Sequence, residues 1–126
     1  MKTLLLLLCL LTPLCASDYI TCRITYYHAS QDKWGAQNAC PKTKRSVEGI
    51  TIAAHPDFKF GDTIEIPKLD GVVGDGVFKV QDRGKWVTSK KASRGKTYVF
   101  DVFVSSRKKY LQLKKTMPPY MKVKIK

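Results

Sequence analysis

The feature of this sequence that most restricts its fold is the alternation of apolar with polar side chains, broken at intervals by turn chemistry. From Tyr19 to Tyr27 the residues Ile20, Cys22, Ile24 and Tyr26 fall on one side of an extended chain, and a period of two marks a half-buried strand. Further strand-forming segments follow at Ile50 to Ala54, Thr63 to Pro67, Val77 to Asp82, Tyr98 to Val104 and Met121 to Ile125. Between them stand Gly49, Gly61-Asp62, the run from Asp70 to Gly76, and Arg94-Gly95-Lys96, residue types that supply positive φ or side-chain-bonded turns. One segment reads as a helix. Ser105 or Ser106 can cap it, Tyr110, Leu111 and Leu113 give it an apolar side to about Lys115, and Met117-Pro118-Pro119 ends it. Six short strands with one or two short helices predict a mostly β domain, and closure into a barrel leaves no edge strand open.

The N-terminus reads differently. Met1-Lys2, an apolar run from Leu4 to Leu11 and the small residues Ala16 and Ser17 have the layout of a secretory signal peptide. The run is far below the roughly 20 apolar residues of a membrane span, and Pro13-Leu14 suits Cys15 poorly to lipid attachment. The expected organisation is a signal peptide over residues 1–17 and one domain over 18–126, monomeric, and secreted, periplasmic or wall-associated. Of the four cysteines, Cys9 and Cys15 leave with the signal, so Cys22 and Cys40 remain in an oxidising compartment. A Cys22–Cys40 disulfide is expected, worth about 3 kcal/mol through loop entropy. Two cysteines without a nearby Cys or His pair argue against zinc.

The formal charge is +13, or +12 once Lys2 is removed, against ten acidic residues. Such a field concentrates anionic partners. Outside a cell these are peptidoglycan with its peptide carboxylates, other anionic glycopolymers or lipid headgroups. No nucleic-acid-binding motif accompanies the charge, and no nucleic acid partner is expected. There is also no phosphate loop, dinucleotide fingerprint, metal-binding histidine pair or nucleophile elbow, so neither cofactor nor metal is expected.

What remains are polar residues at strand ends or within strands: His55 after Ala53-Ala54, Asp82 closing Val77 to Gln81, and Asp101 within Tyr98-Val99-Phe100-Asp101-Val102-Phe103. A carboxylate between Phe100 and Val102 is costly to bury charged. It must be held by hydrogen bonds or stay partly protonated, the second being what a general acid needs. Singly, each has an ordinary structural explanation: a backbone-bonding aspartate, an Asp-Arg-Gly turn, a solvated loop histidine.

Taken together, the segments resemble a known family. Thr51-Ile52-Ala53-Ala54-His55-Pro56-Asp57 through Gly61-Asp62-Thr63-Ile64-Glu65-Ile66, Val80-Gln81-Asp82-Arg83-Gly84 and Phe100-Asp101-Val102-Phe103 are similar, in order, to the signatures of the 3D (three-aspartate) domain and the rare lipoprotein A-like domain. Both are six-stranded double-psi β-barrels related to lytic transglycosylases. The chain departs from the 3D pattern at His55, which replaces the first aspartate, and at Arg83; both departures match the rare lipoprotein A-like pattern. The stretch from Gly84 to Asp101 is longer and more basic than in most relatives.

The resemblance implies a groove containing His55, Asp82 and Asp101, with Asp101 as acid/base. It would protonate the glycosidic oxygen between N-acetylmuramic acid and N-acetylglucosamine, then take the proton of the muramic 6-hydroxyl as it closes on C1. Asp82 would tune Asp101, and His55 would orient the sugar or share a proton. Trp86, Trp34, Tyr26 or Tyr27, and Arg83 are the expected substrate-binding residues. The alternatives are a non-catalytic wall-binding protein of expansin or barwin type and a secreted scaffold, since one barrel hosts many functions.

Overall fold

The computed structural model describes residues 18–31 and 36–126. The segment read as a signal peptide, residues 1–17, and Trp34 lie outside the described residues. The strands are β1 (Ile20–His28), β2 (Thr51–Ala53), β3 (Thr63–Glu65), β4 (Val77–Asp82), β5 (Val99–Val104) and β6 (Tyr120–Ile125); the α-helices are α1 (Lys85–Ser89) and α2 (Arg107–Thr116). All six expected strands are present. So is the helix after Ser106, whose side chain accepts from the Lys109 N–H as an N-cap. No described helix is long and apolar enough to cross a membrane.

The strands close into a barrel in the order β1-β5-β2-β4-β3-β6. β1 pairs with β5 and β2 with β4 in parallel, and the other pairings are antiparallel. Parallel pairing between strands distant in sequence, set in an otherwise antiparallel closed sheet, is the crossed connectivity of the expected double-psi barrel.

The interior is filled by one side of each strand, including Ile24, Ile52, Ile64, Phe78, Val80, Phe100, Val102 and Val123, all fully or nearly fully buried. Leu113 of α2, with Tyr110 and Met117, closes over this core. Between β3 and β4 the chain turns so tightly that a Cβ on Gly76, at φ +77°, would sit 2.7 Å from the Ile66 carbonyl oxygen; only glycine fits there.

A second, smaller apolar cluster lies outside the barrel. Val87 of α1 packs on Ala53 and Val99, with Tyr27 beside them. Asp101 is not an intruder in the barrel core: on β5, Phe100, Val102 and Val104 belong to the interior, while Val99 joins the outer cluster and Phe103 meets Tyr27 edge-on at 5.3 Å. β5 reads as continuously apolar because both its faces are covered, and Asp101 belongs to the outer one.

The expected disulfide is also corrected: Cys22 and Cys40 are separate, free, buried thiols. Cys22 points into the barrel core from the start of β1, opposite Met121 of β6. Cys40 lies against the end of β4, its N–H donating to the Gln81 carbonyl.

Candidate functional site

Strand register, not loop conformation, builds the centre of the site. Thr25 of β1 pairs with Asp101 of β5, Asp101 with Ala53 of β2, and Ala53 with Asp82 of β4. A single row crosses four neighbouring strands. Ala53 is the small residue between the two carboxylates, and a register shift between Ile52 and Ala53 brings it opposite Asp82. Above this row lies a cavity of about 760 Å³, lined among others by Thr25, Tyr27, Asp82, Trp86, Lys91 and Asp101. That volume is typical of a ligand site.

The two carboxylates are held differently. Asp82 accepts three hydrogen bonds: Oδ2 from the Tyr27 hydroxyl at 2.8 Å, Oδ1 from the Ala39 N–H at 3.0 Å and from the Arg83 N–H at 2.9 Å. Asp101 takes one side-chain hydrogen bond, from the Thr25 hydroxyl to Oδ1 at 2.9 Å. Burial pushes Asp101 up to about 7; the Thr25 hydrogen bond opposes this and the negative charge of Asp82 adds to it. The Tyr27 hydroxyl is likewise pushed far above the ordinary tyrosine range, by burial first and by Asp82 next, so it remains a donor. One carboxylate is fixed as an acceptor, and the other exchanges its proton near neutrality.

Trp86 is 56% exposed at the first turn of α1. The Lys91 ammonium lies 4.2 Å from its ring centroid and that of Lys85 5.9 Å. An open indole flanked by two cations can stack on a sugar ring while its neighbours meet an anionic substituent.

Of the expected site residues, one lies outside this cavity and two line it with their side chains engaged in other packing. His55 does not line this cavity. Its Nδ1 accepts from the Asp57 N–H at 3.0 Å, and its ring meets Tyr98 edge-on at 5.5 Å; the Tyr98 hydroxyl in turn donates to Asp57. The chain leaves β2 at Ala53, so His55 no longer follows the alternation that carries Ala53 to the groove.

Arg83 contributes to the cavity wall, but its guanidinium is committed to the loop below. Nη1 donates to the Ala54 and His55 carbonyls and Nη2 to that of Phe58, with the Phe60 ring 4.3 Å away. It clamps a turn, with its charged donors turned to backbone carbonyls.

Tyr26 is only 8% exposed and belongs to the core, so it offers no face for stacking. Of the adjacent pair, Tyr27 is the one whose outward position on β1 brings it to the carboxylates. Thr25 and Tyr27 contact the two carboxylates and line the cavity, Thr25 absent from the expected site and Tyr27 named only as an alternative to Tyr26. The signal was their alternation with Ile24 and Tyr26 on β1, the strand that pairs in parallel with β5.

Among the described residues, no group of three or more His, Cys, Asp or Glu side chains could hold a metal ion. No protein-family model matches the chain, and no curated protein matches it.

Proposed function

We propose that the protein is an exported peptidoglycan-cleaving enzyme, a lytic transglycosylase of the 3D or rare lipoprotein A-like kind acting between N-acetylmuramic acid and N-acetylglucosamine. The observation that carries this reading is Asp101: a carboxyl group raised to about 7 in an open groove, next to a second carboxylate that three donors hold in place.

Hydrolysis by two carboxylates needs them on opposite sides of the scissile bond, one free to attack or to activate water. Here both carboxylates come from one sheet, and Asp82 is fully occupied. A single acid/base fits better. With Oδ1 engaged by Thr25, the proton of neutral Asp101 sits on Oδ2 and passes to the glycosidic oxygen as the C1–O bond breaks. The resulting carboxylate accepts the proton of the muramic 6-hydroxyl as its oxygen bonds to C1. The proton lost in the first step is thereby regained, and no water is consumed. Asp82 keeps Asp101 basic enough to recapture it, and Tyr27 keeps Asp82 in place.

The experiment is digestion of purified sacculi followed by mass spectrometry of the soluble products. Native protein is expected to release 1,6-anhydro-muropeptides and Asp101→Asn to reduce release at least 100-fold, the scale of general acid catalysis. Equal release by the variant removes Asp101 from the mechanism. A second reading, a wall-polysaccharide-binding protein without catalysis, draws on the exposed Trp86 between Lys85 and Lys91. It predicts tight pelleting with sacculi and no soluble product.

A further inference from the structure

The cavity over Asp101 is continued by a second one. A crevice of about 350 Å³ opens between β1, α2 and the 117–119 turn, and it shares Thr25, Tyr26 and Tyr110 with the first. Its remaining wall combines apolar Ile24, Leu113, Met117 and the two prolines with two cations, Arg23 and Lys114, and it includes no acidic residue.

The Arg23 guanidinium is fixed by the carbonyls of Ala92, Ile24 and Pro119, so its charge stays beside the crevice. The exposed Lys114 ammonium reaches the Tyr110 hydroxyl at 3.3 Å and, among the described residues, pairs with no carboxylate. The C-terminal segment that supplies α2 is rich in cations. From Arg107 to Lys126 the chain carries eight cationic residues and no acidic one.

An independent observation points to an occupant. The Tyr26 hydroxyl is buried and has no hydrogen-bond partner among the described residues, and Tyr26 is one of the residues that line both cavities. A buried hydroxyl without a partner is an energetic cost that folded proteins seldom keep. Burial pushes this one up to about 12, with Arg23 opposing, so it is a protonated donor at any working pH. What the hydroxyl lacks is an acceptor, and the neighbouring Lys114 and Arg23 favour one that carries negative charge.

We infer that the crevice between β1 and α2 is a second subsite of the groove, which takes a carboxylate-bearing substituent of the glycan strand through Lys114 and the Tyr26 hydroxyl. This rests on the glycan reading above and adds to it a preference for an acidic substituent over a neutral strand.

The test is calorimetric binding of two probes to the full chain. One is a disaccharide-peptide muropeptide with free peptide carboxylates; the other is the same compound with those carboxylates amidated. The native protein is expected to bind the acid form at least tenfold more tightly. Lys114→Glu removes that preference without weakening the amidated probe, and Tyr26→Phe weakens the acid form three- to tenfold. Tyr26→Phe should not lower the melting temperature, since it deletes only an unpaired hydroxyl, so a binding loss cannot be put down to misfolding. Equal binding of both probes, or a preference that survives both substitutions, overturns the inference and leaves the glycan reading intact. Binding of neither probe overturns both.

Discussion

At the scale of single residues, the site rests on one carboxyl group whose stability and reactivity pull in opposite directions. Asp101 holds its proton to about pH 7 in the folded chain, against an ordinary value of 3.8. Between those two values the folded state binds more protons than the unfolded state, so this group's contribution to stability falls as pH rises from about 4 to about 7. Asp101→Asn, neutral and nearly isosteric, is therefore expected to melt higher than native protein at pH 8, by about 5 °C, while gaining little at pH 4. Thermal melts at the two pH values check this, and equal shifts at both would disprove it. Activity should fall as pH rises through about 7, because the acid form is the one that protonates the leaving oxygen. Thr25 sets where that limb lies. Its hydrogen bond lowers Asp101, so Thr25→Val should move the limb to higher pH, by about half a unit to one unit. An unmoved limb assigns Thr25 a merely structural role. Asp101 was legible in the sequence as a carboxylate among apolar neighbours, whereas the face it occupies was not. With Val99 buried outside the barrel and Phe100 buried inside it, no alternation survives in β5 to say which way a residue points.

Whole elements show where sequence patterns inform and where they stop. β1, β3, β4 and β6 were readable because each carries one buried side, and α2 because Ser106, the apolar side and the proline pair mark its ends. α1 was not. Lys85-Trp86-Val87-Thr88-Ser89 has only five residues, two of them β-branched, and Gly84 provides no side-chain cap; its helical form depends on seating Val87 over Ala53 and Val99. Nor could the sequence tell that the Asp-Arg-Gly turn divides its labour. Asp82 faces the groove, while the Arg83 guanidinium turns to the 54–58 loop and satisfies three carbonyls. Arg83→Ala leaves those carbonyls without their charged donor and should cost about 2–3 kcal/mol in denaturant unfolding. Sacculus pelleting at permissive temperature should be unchanged. A variant that keeps full stability but no longer pellets would return Arg83 to the substrate.

For the molecule as a whole, the question is what holds a small, strongly basic domain together without a covalent tie. The alternation of the strands carried the barrel architecture, but two cysteines in a chain read as exported do not fix a pairing, since distance in the fold decides it. Cys22 is locked in the core between β1 and β6, and Cys40 sits at the far side of β4. Ring closure of the sheet does what the bridge was expected to do, because the N-terminal strand is paired on both sides, to β5 and to β6. Reductant is therefore expected to leave the melting temperature of the chain beginning at Asp18 within about 1 °C, compared with the several degrees that loss of a native disulfide typically produces. Thiol titration in denaturant should count two reactive sulfurs. A large reductant effect would mean that the thiols pair after all. The same backbone closure has a further consequence for how such a protein diversifies. Because Thr25, Asp101, Ala53 and Asp82 owe their adjacency to the ladder of the sheet, the segment bearing Trp86 and Lys91 can be lengthened, shortened or recharged without moving the two carboxylates, so the rim of the groove is free to drift while its floor stays put.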